Sequence, residues 1–150
     1  MSTTPTSTTP TVDHAVVAAG FKASVEGKMP ADQLQSATTA MATAATGYAA
    51  NGSIASLLFY MQVQVTIKGG KTFDGKAGGI GLPGGGALFG TVYTDDINRL
   101  YANTKSFAFQ ATPVYFAVEF FDGSSNYLGT FQAGAVSIVT GTGGGSGHWS

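Results

Sequence analysis

Few side chains in this sequence have the types and spacing that catalysis or metal binding requires. Asp95 and Asp96 are adjacent acids, but acid–base chemistry needs two carboxyl groups that converge from different elements. We interpret them as first-turn acids that complement a helix dipole. His14 borders a Thr/Ser/Pro-rich segment and His148 lies near the last residue. We expect neither histidine to be held firmly enough to act as a base or a metal ligand.

A glycine-rich segment contains a formal match to a phosphate-binding motif. Residues 79–84, GIGLPG, fit the pattern GxGxxG, but that motif needs a helix that opens at its third glycine. Two further glycines and the strand-like run ALFGTVY follow instead. We therefore predict a glycine-rich hairpin or a barrel corner, because glycine allows backbone to bend sharply and to be approached closely.

Other catalytic patterns are missing from the sequence. The string Gly145–Ser146–Gly147 lacks the frame of a G-x-S-x-G nucleophile elbow, and there is no HExxH, P-loop or acidic calcium loop. We predict no enzymatic activity, no cofactor and no metal site. A hydrolase built from converging Asp, Ser and Thr side chains is the alternative that only a structure would reveal.

Composition limits the classes of function further. The chain has 150 residues, no cysteine, a net charge of −1 and 10% charged residues, against a usual share of about 25%. Nucleic-acid binding is therefore not expected, and disulfides and thiolate sites are excluded. A weakly charged surface is open to membrane or protein contacts. The longest apolar run, 54–61, is shorter than the roughly 18 residues of a spanning helix.

Domain organisation is simple. Residues 1–13 form a Thr/Ser/Pro tail that we expect to be disordered, and it lacks the basic start and apolar centre of a signal peptide. Residues 14–150 are enough for a single domain. Within it, the alanine-rich segment 31–46 repeats apolar residues at helical spacing and is predicted as a helix, and 94–100 is predicted as a short helical turn with Thr94 as its N-cap.

Most of the remaining chain is predicted to be β structure. Val63, Val65 and Ile67 alternate with polar residues, and Asp122 and Gly123 begin a turn between two apolar runs. Further strands are predicted at 15–25, 106–110, 114–121, 127–131 and 135–139. Asn51–Gly52–Ser53 fits a glycosylation sequon. We interpret its Asn–Gly pair as a turn before a strand that starts at Ile54. Seven or eight short strands indicate an antiparallel sandwich or small barrel, and barrel closure removes exposed edges most completely.

The pair Phe120–Phe121 is a candidate contact site. Adjacent residues of a strand point to opposite faces, so one of the two rings must leave the main core and meet either the helix or solvent. An exposed aromatic patch on a weakly charged surface would suit a surface contact.

Four segments together carry a family resemblance. They are GGIGLPGGGALFG (78–90), VYTDDINRLYANT (92–104), ATPVYFAVEFFD (111–122) and LGTFQAGAVSIVTGTGGGSGHWS (128–150). From about residue 45 onward the chain resembles the virulence-associated (Vap) protein family of rhodococci. The resemblance implies a mainly β fold: a closed, antiparallel, eight-stranded β-barrel of Greek-key type with one short helix packed at one side.

The resemblance also implies a function. Proteins of this family are secreted, or located at the cell surface, and act without a catalytic site in the phagosome, where some perturb endolysosomal maturation. The expected partner is a host membrane lipid or a host protein, with no nucleic acid and no metal, and we expect a monomer. The alternative is a small apolar-ligand (lipid) binding barrel, which would need a cavity of roughly 300 Å³.

Overall fold

The computed structural model describes residues 13–44, 46–56, 60–78, 84–134 and 141–150. They form eight strands that close into a barrel, together with three helices. In chain order these are α1 (His14–Val25), α2 (Ala31–Ala42), β1 (Gly47–Ser56), β2 (Tyr60–Ile67), β3 (Thr72–Gly78), β4 (Gly84–Tyr93), α3 (Ile97–Asn103), β5 (Ser106–Ala111), β6 (Tyr115–Phe121), β7 (Tyr127–Gly134) and β8 (Gly141–Trp149).

Every neighbouring pair of strands is antiparallel, in the closed order β1-β2-β3-β8-β5-β6-β7-β4. The predicted fold class, a closed antiparallel eight-stranded barrel, is confirmed. Strands β3 and β4 pair with different neighbours, so the glycine-rich segment between them does not join a hairpin. The hairpin interpretation is therefore wrong, and the barrel-corner interpretation falls on residues 79–83, which lie outside the described residues.

Side chains fill the barrel interior. Phe73 belongs to an aromatic cluster there, with its ring centroid 4.9 Å from that of Phe120, 5.4 Å from Phe107 and 5.6 Å from Trp149. The predicted alternation in β2 is confirmed, because the side chains of Val63, Val65 and Ile67 are buried and point inward. The other large interior residues include Ile54, Leu88, Val92, Phe109, Phe116, Val118, Leu128 and Phe131. Their burial is the main stabilising term of the fold.

The first helix corrects the prediction of a strand at 15–25. Asp13 is its N-cap, and its carboxylate accepts a hydrogen bond from the backbone N–H of Ala15. Val17, Ala18 and Phe21 are its buried residues, and this i, i+1, i+4 spacing places them on one face of a helix. The cap and this spacing were the signals that the strand prediction overlooked.

Helices α1 and α2 pack together on the outer face of β5, β6 and β7, and we call the pair the helical hairpin. The predicted helix at 31–46 is observed as α2, with Leu34, Ala37 and Met41 buried as its spacing indicated. A second apolar cluster, separate from the barrel interior, lies between the hairpin and the sheet: Val17, Ala18, Phe21, Leu34, Ala37, Met41, Tyr115, Ala117 and Phe121. The resemblance had implied one short helix at this side, whereas the described residues form two there and a third at one end of the barrel.

The third helix lies at the end of the barrel where β4 ends and β5 begins. Its N-cap is Asp96, which accepts from the Arg99 N–H at 3.1 Å, and no acid lies in its first turn. The predicted Thr94 cap is therefore wrong. The Thr94 hydroxyl instead donates to the Leu128 carbonyl at 2.8 Å, which ties the chain before α3 to β7.

Two strand segments were not predicted. Asn51 lies inside β1, paired with Thr66 and Phe89, rather than in a turn. The glycine-rich C-terminal run forms β8, and a Cβ placed on Gly145 would collide with the Lys76 carbonyl of β3. Glycine there allows two backbones to approach closely. The strand predicted at 135–139 lies outside the described residues.

None of the described helices is long and apolar enough to cross a membrane.

Candidate functional site

The two phenylalanines of the candidate contact site lie on opposite faces of β6, as predicted. Phe120 points into the barrel, where its ring lies 4.9 Å from Phe73. Phe121 points outward and stacks with Phe21 of α1 at 5.9 Å. Both are buried, with exposed fractions of 0% and 7%. Of the two expected outcomes for the ring that leaves the core, the structure shows contact with the helix rather than with solvent.

A strip of polar side chains lies on the same outer face, beneath the helical hairpin. Glu119 of β6 is fully buried, and its Oε1 accepts a hydrogen bond from Gln110 Nε2 of β5 at 2.7 Å. Gln132 of β7 is also buried, and its Oε1 accepts from His14 Nδ1 of α1 at 2.8 Å. These groups alternate along their strands with residues that point into the barrel, so the sheet itself directs them toward the hairpin.

Several atoms of this polar strip have no hydrogen-bond partner within the described part of the chain. They are Glu119 Oε2, Gln110 Oε1 and Gln132 Nε2. Buried polar groups usually have partners, so three such atoms in one place mark this interface as costly to bury.

Burial changes the acid–base properties of the strip. Desolvation raises the pKa of Glu119 to about 8, although the hydrogen bond from Gln110 works in the opposite direction. Burial also raises the pKa of the Tyr115 and Tyr127 phenols, and the nearby Glu119 charge adds to both shifts. Glu119 is therefore mostly protonated at neutral pH in this arrangement.

A cleft of about 310 Å³ lies beside this strip, between α2, the ends of β4 and β7, and the chain before α3. Its lining combines the exposed acids Asp95 and Asp96 with Arg99 and with the rings of Tyr93 and Tyr127. Two carboxylates and a guanidinium suit a small polar molecule rather than an acyl chain.

The cleft brings Ser36, Thr46 and Thr94 close to Asp95 and Asp96, which is the kind of grouping that the hydrolase alternative required. No hydrogen bond among the described residues joins these hydroxyls to either carboxylate, and Asp96 is used as a helix cap. His148 of β8 lies opposite Asp74 of β3, but the Asp74 carboxylate accepts from Gln64 at 2.9 Å and Gln62 at 3.4 Å. No group of three or more His, Asp or Glu residues in the described ranges could hold a metal ion. His14 is held by Gln132 and packs edge-on against Tyr93 at 4.6 Å, which is a firmer placement than its sequence context suggested.

Comparison with known proteins identifies the family. A family profile described as "Rhodococcus equi virulence-associated protein" matches residues 5–150. The chain belongs to this family. The virulence-associated protein VapB from the intracellular pathogen Rhodococcus equi has a similar structure, with 45% identity and a TM-score of 0.67 over 70% of this chain and 96% of that chain. VapD from the same organism has 37% identity and a TM-score of 0.66 over 70% of this chain and 97% of its own. A search of curated proteins found no match.

The two solved Vap structures are each covered almost completely while 30% of this chain is left unmatched. The burial of Glu119 was not predicted from the sequence. Its signal was an acid at an alternating position within the apolar run 114–121, which indicates a charge on an otherwise apolar face.

Proposed function

We propose that this Vap protein is a secreted, non-enzymatic virulence factor that acts in the host phagosome or endolysosome by contact with a host membrane. Family membership supports the virulence role. The use of the Asp96 carboxylate as a helix cap supports a structural rather than a catalytic role for that acid. A host protein is the other partner that such a contact surface could serve.

The two ends of the barrel differ in charge, and this difference favours a membrane. Strands β1, β3, β5 and β7 end where β2, β4, β6 and β8 begin, and we call this the uncharged end. The sequence between those strands is LLF (57–59), GIGLP (79–83), TPV (112–114) and AVSIVT (135–140), without one charged residue. One charge within the strands lies close to this end: Lys76 Nζ of β3 is 5.2 Å from the ring centroid of Tyr60, the first residue of β2. The three segments between strands at the opposite end contain Lys68, Lys71, Asp95, Asp96, Arg99, Lys105 and Asp122.

The exposure of Val114 is the observation that supports this proposal most directly. It lies between β5 and β6 at the uncharged end, and 72% of its surface is exposed. A large aliphatic side chain that is so exposed gains free energy when it enters an apolar environment, by about 1.5–3 kcal/mol for full burial. An uncharged barrel end with an exposed valine is therefore suited to the interfacial region of a bilayer.

Vesicle co-sedimentation tests this proposal. We expect binding to neutral or anionic phospholipid vesicles at pH 5 or pH 7, and an approximately tenfold weaker partition for Val114→Asp at pH 7, because about 1.4 kcal/mol corresponds to a factor of ten. Val16→Asp is the matched control, since Val16 is 47% exposed on α1 and lies outside the segments that join the strands. No sedimentation of the unmodified protein with either vesicle at either pH would sink the membrane contact. Equal losses in the two variants would show that the uncharged end is not the contact.

Aromatic packing inside the barrel weighs against the alternative of an apolar-ligand barrel. Phe73, Phe107, Phe120 and Trp149 pack against one another there, and the described cleft of about 310 Å³ lies outside the barrel, beside Asp95, Asp96 and Arg99. A lipid chain held in the barrel would require these rings to leave.

A further inference from the structure

The helical hairpin is attached to the barrel by a short connection and a mainly apolar contact. Residues 43–46 connect α2 to β1. Besides the His14–Gln132 hydrogen bond, the described polar contacts of the hairpin are those of Gln33 Nε2, with the Ser124 carbonyl at 2.8 Å and Asn126 Oδ1 at 3.4 Å. Such a unit can separate from the sheet while the barrel, which closes on itself, stays intact.

The surface beneath the hairpin is unlike an ordinary core. Glu119 is fully buried there, at 0% exposure. One carboxyl oxygen accepts a hydrogen bond from Gln110, and the other has no partner among the described residues. Opening the hairpin would hydrate Glu119, Gln110 and Gln132 together. Closing it removes water from all three, and the cost of that step depends on whether Glu119 carries a charge.

We propose that the helical hairpin is a proton-controlled cover: it closes over β5, β6 and β7 when Glu119 is protonated and opens when Glu119 ionises.

In the part of the chain that the structure describes, the neighbours of Glu119 offer no compensating positive charge. Strand β5 places the neutral amide of Gln110 beside Glu119, and β7 places Tyr127, Thr130 and Gln132 there. Strand β6 itself adds Tyr115. The buried residues of α2 are Leu34, Ala37 and Met41, and those of α1 are Val17, Ala18 and Phe21, none of which is titratable. His14 of α1 reaches the strip through Gln132. A protonated carboxyl tolerates this surrounding with one hydrogen bond, whereas a carboxylate does not.

The direction of the pH effect follows from the two states. Burial raises the pKa of Glu119 from 4.5 to about 8 in the closed state, and hydration returns it toward 4.5 in the open state. A group with a raised pKa in the closed state contributes its full stabilisation below pH 4.5 and loses it as the pH rises to 8. One proton is released on opening in this window, so the opening constant should rise about tenfold for each pH unit.

Hydrogen exchange measured by mass spectrometry, corrected for the intrinsic pH dependence of exchange, tests the proposal on the full chain. Between pH 5 and 8 we expect the opening constant of α1 and α2 amides to rise about tenfold per pH unit, while β2 and β6 amides stay more protected. Glu119→Gln should remove most of this slope, because its amide cannot ionise. The chain is free of cysteine, so thiol labelling of an Ala37→Cys variant at this buried position gives a second readout of the same opening.

Glu26→Gln is the matched control, since it makes the same change at the chain's other glutamate, which is exposed at the end of α1. It should keep the slope of the unmodified protein. A flat pH profile in the unmodified protein, or an equal slope in Glu119→Gln, would overturn the proposal. Equal protection of hairpin and barrel amides would also overturn it, because opening would then be global unfolding. Should Glu119→Gln fail to fold, the profile of the unmodified protein and its Ala37→Cys labelling still decide.

Discussion

The barrel interior and the surface beneath the helical hairpin are both buried, but they are buried in different ways. The interior is enclosed by eight strands that leave no open edge, and its large side chains are apolar. The surface beneath the hairpin is covered by two helices and contains Glu119, Gln110 and Gln132 among apolar residues. One compartment can open only if the sheet breaks, whereas the other can open by the movement of a single unit.

This difference indicates which of the two compartments can respond to a change in pH. The described interior holds apolar side chains and the indole N–H of Trp149, which has no partner among the described residues. None of these groups changes its charge between pH 5 and 8, so the stability of the interior should depend little on pH. The covered surface holds an acid with a raised pKa and atoms without described partners. Phe120 and Phe121 are adjacent residues of one strand and report on the two compartments separately.

The largest expected effect is that of Phe120→Ala. This ring is fully buried and lies 4.9 Å from Phe73 and 5.3 Å from Trp149. Removing it leaves a cavity that a closed barrel cannot fill, so the free energy of unfolding should fall by about 3–5 kcal/mol. Urea denaturation followed by the fluorescence of Trp149, the chain's one tryptophan, measures this loss. A loss below about 1 kcal/mol would show that the interior can collapse around the cavity.

Phe121→Ala should have a smaller effect on global unfolding and a larger one on the hairpin. Phe121 stacks with Phe21 and meets Tyr127 edge-on at 6.3 Å. Losing these contacts should weaken hairpin closure by about 1–3 kcal/mol, the range for burying one large apolar side chain. Hydrogen exchange should then show less protection of α1 and α2 with barrel amides unchanged. Equal losses of protection in the barrel amides would show that the two compartments open together, as a single cooperative unit.

Much of the barrel could be predicted from the sequence. Period-two alternation in β2 and the turn at Asp122 follow from local rules that tertiary structure did not override. The strand β8 was not predictable in the same way, because its glycines carry no side-chain pattern. Gly145 belongs in a strand only because Lys76 of β3 lies against it, and that contact is 69 residues distant in sequence.

The covered surface was harder to predict than the barrel. The segment 15–25 is apolar enough to suit a strand, and its helical spacing was visible only once Asp13 was considered as a cap. Glu119 could be noticed as a charge within an apolar run, but its burial depends on helices that are more than 75 residues away in sequence. Sequence patterns indicate which face of a strand is apolar, and they do not show what covers it.

The smallest predicted effect concerns α3, which lies at the charged end of the barrel and belongs to neither compartment's centre. The Asp96 carboxylate accepts from the Arg99 N–H, and removal of such a cap costs about 1 kcal/mol. Asp96→Ala should therefore lower the free energy of unfolding by about that amount in urea denaturation. Asp95→Ala is the matched control, because the adjacent acid is exposed and is not the cap. If the two substitutions cost the same, the effect would come from the local charge rather than from the cap. A loss confined to Asp96→Ala would show that the cap itself stabilises α3, whose Leu100 is fully buried against the barrel interior.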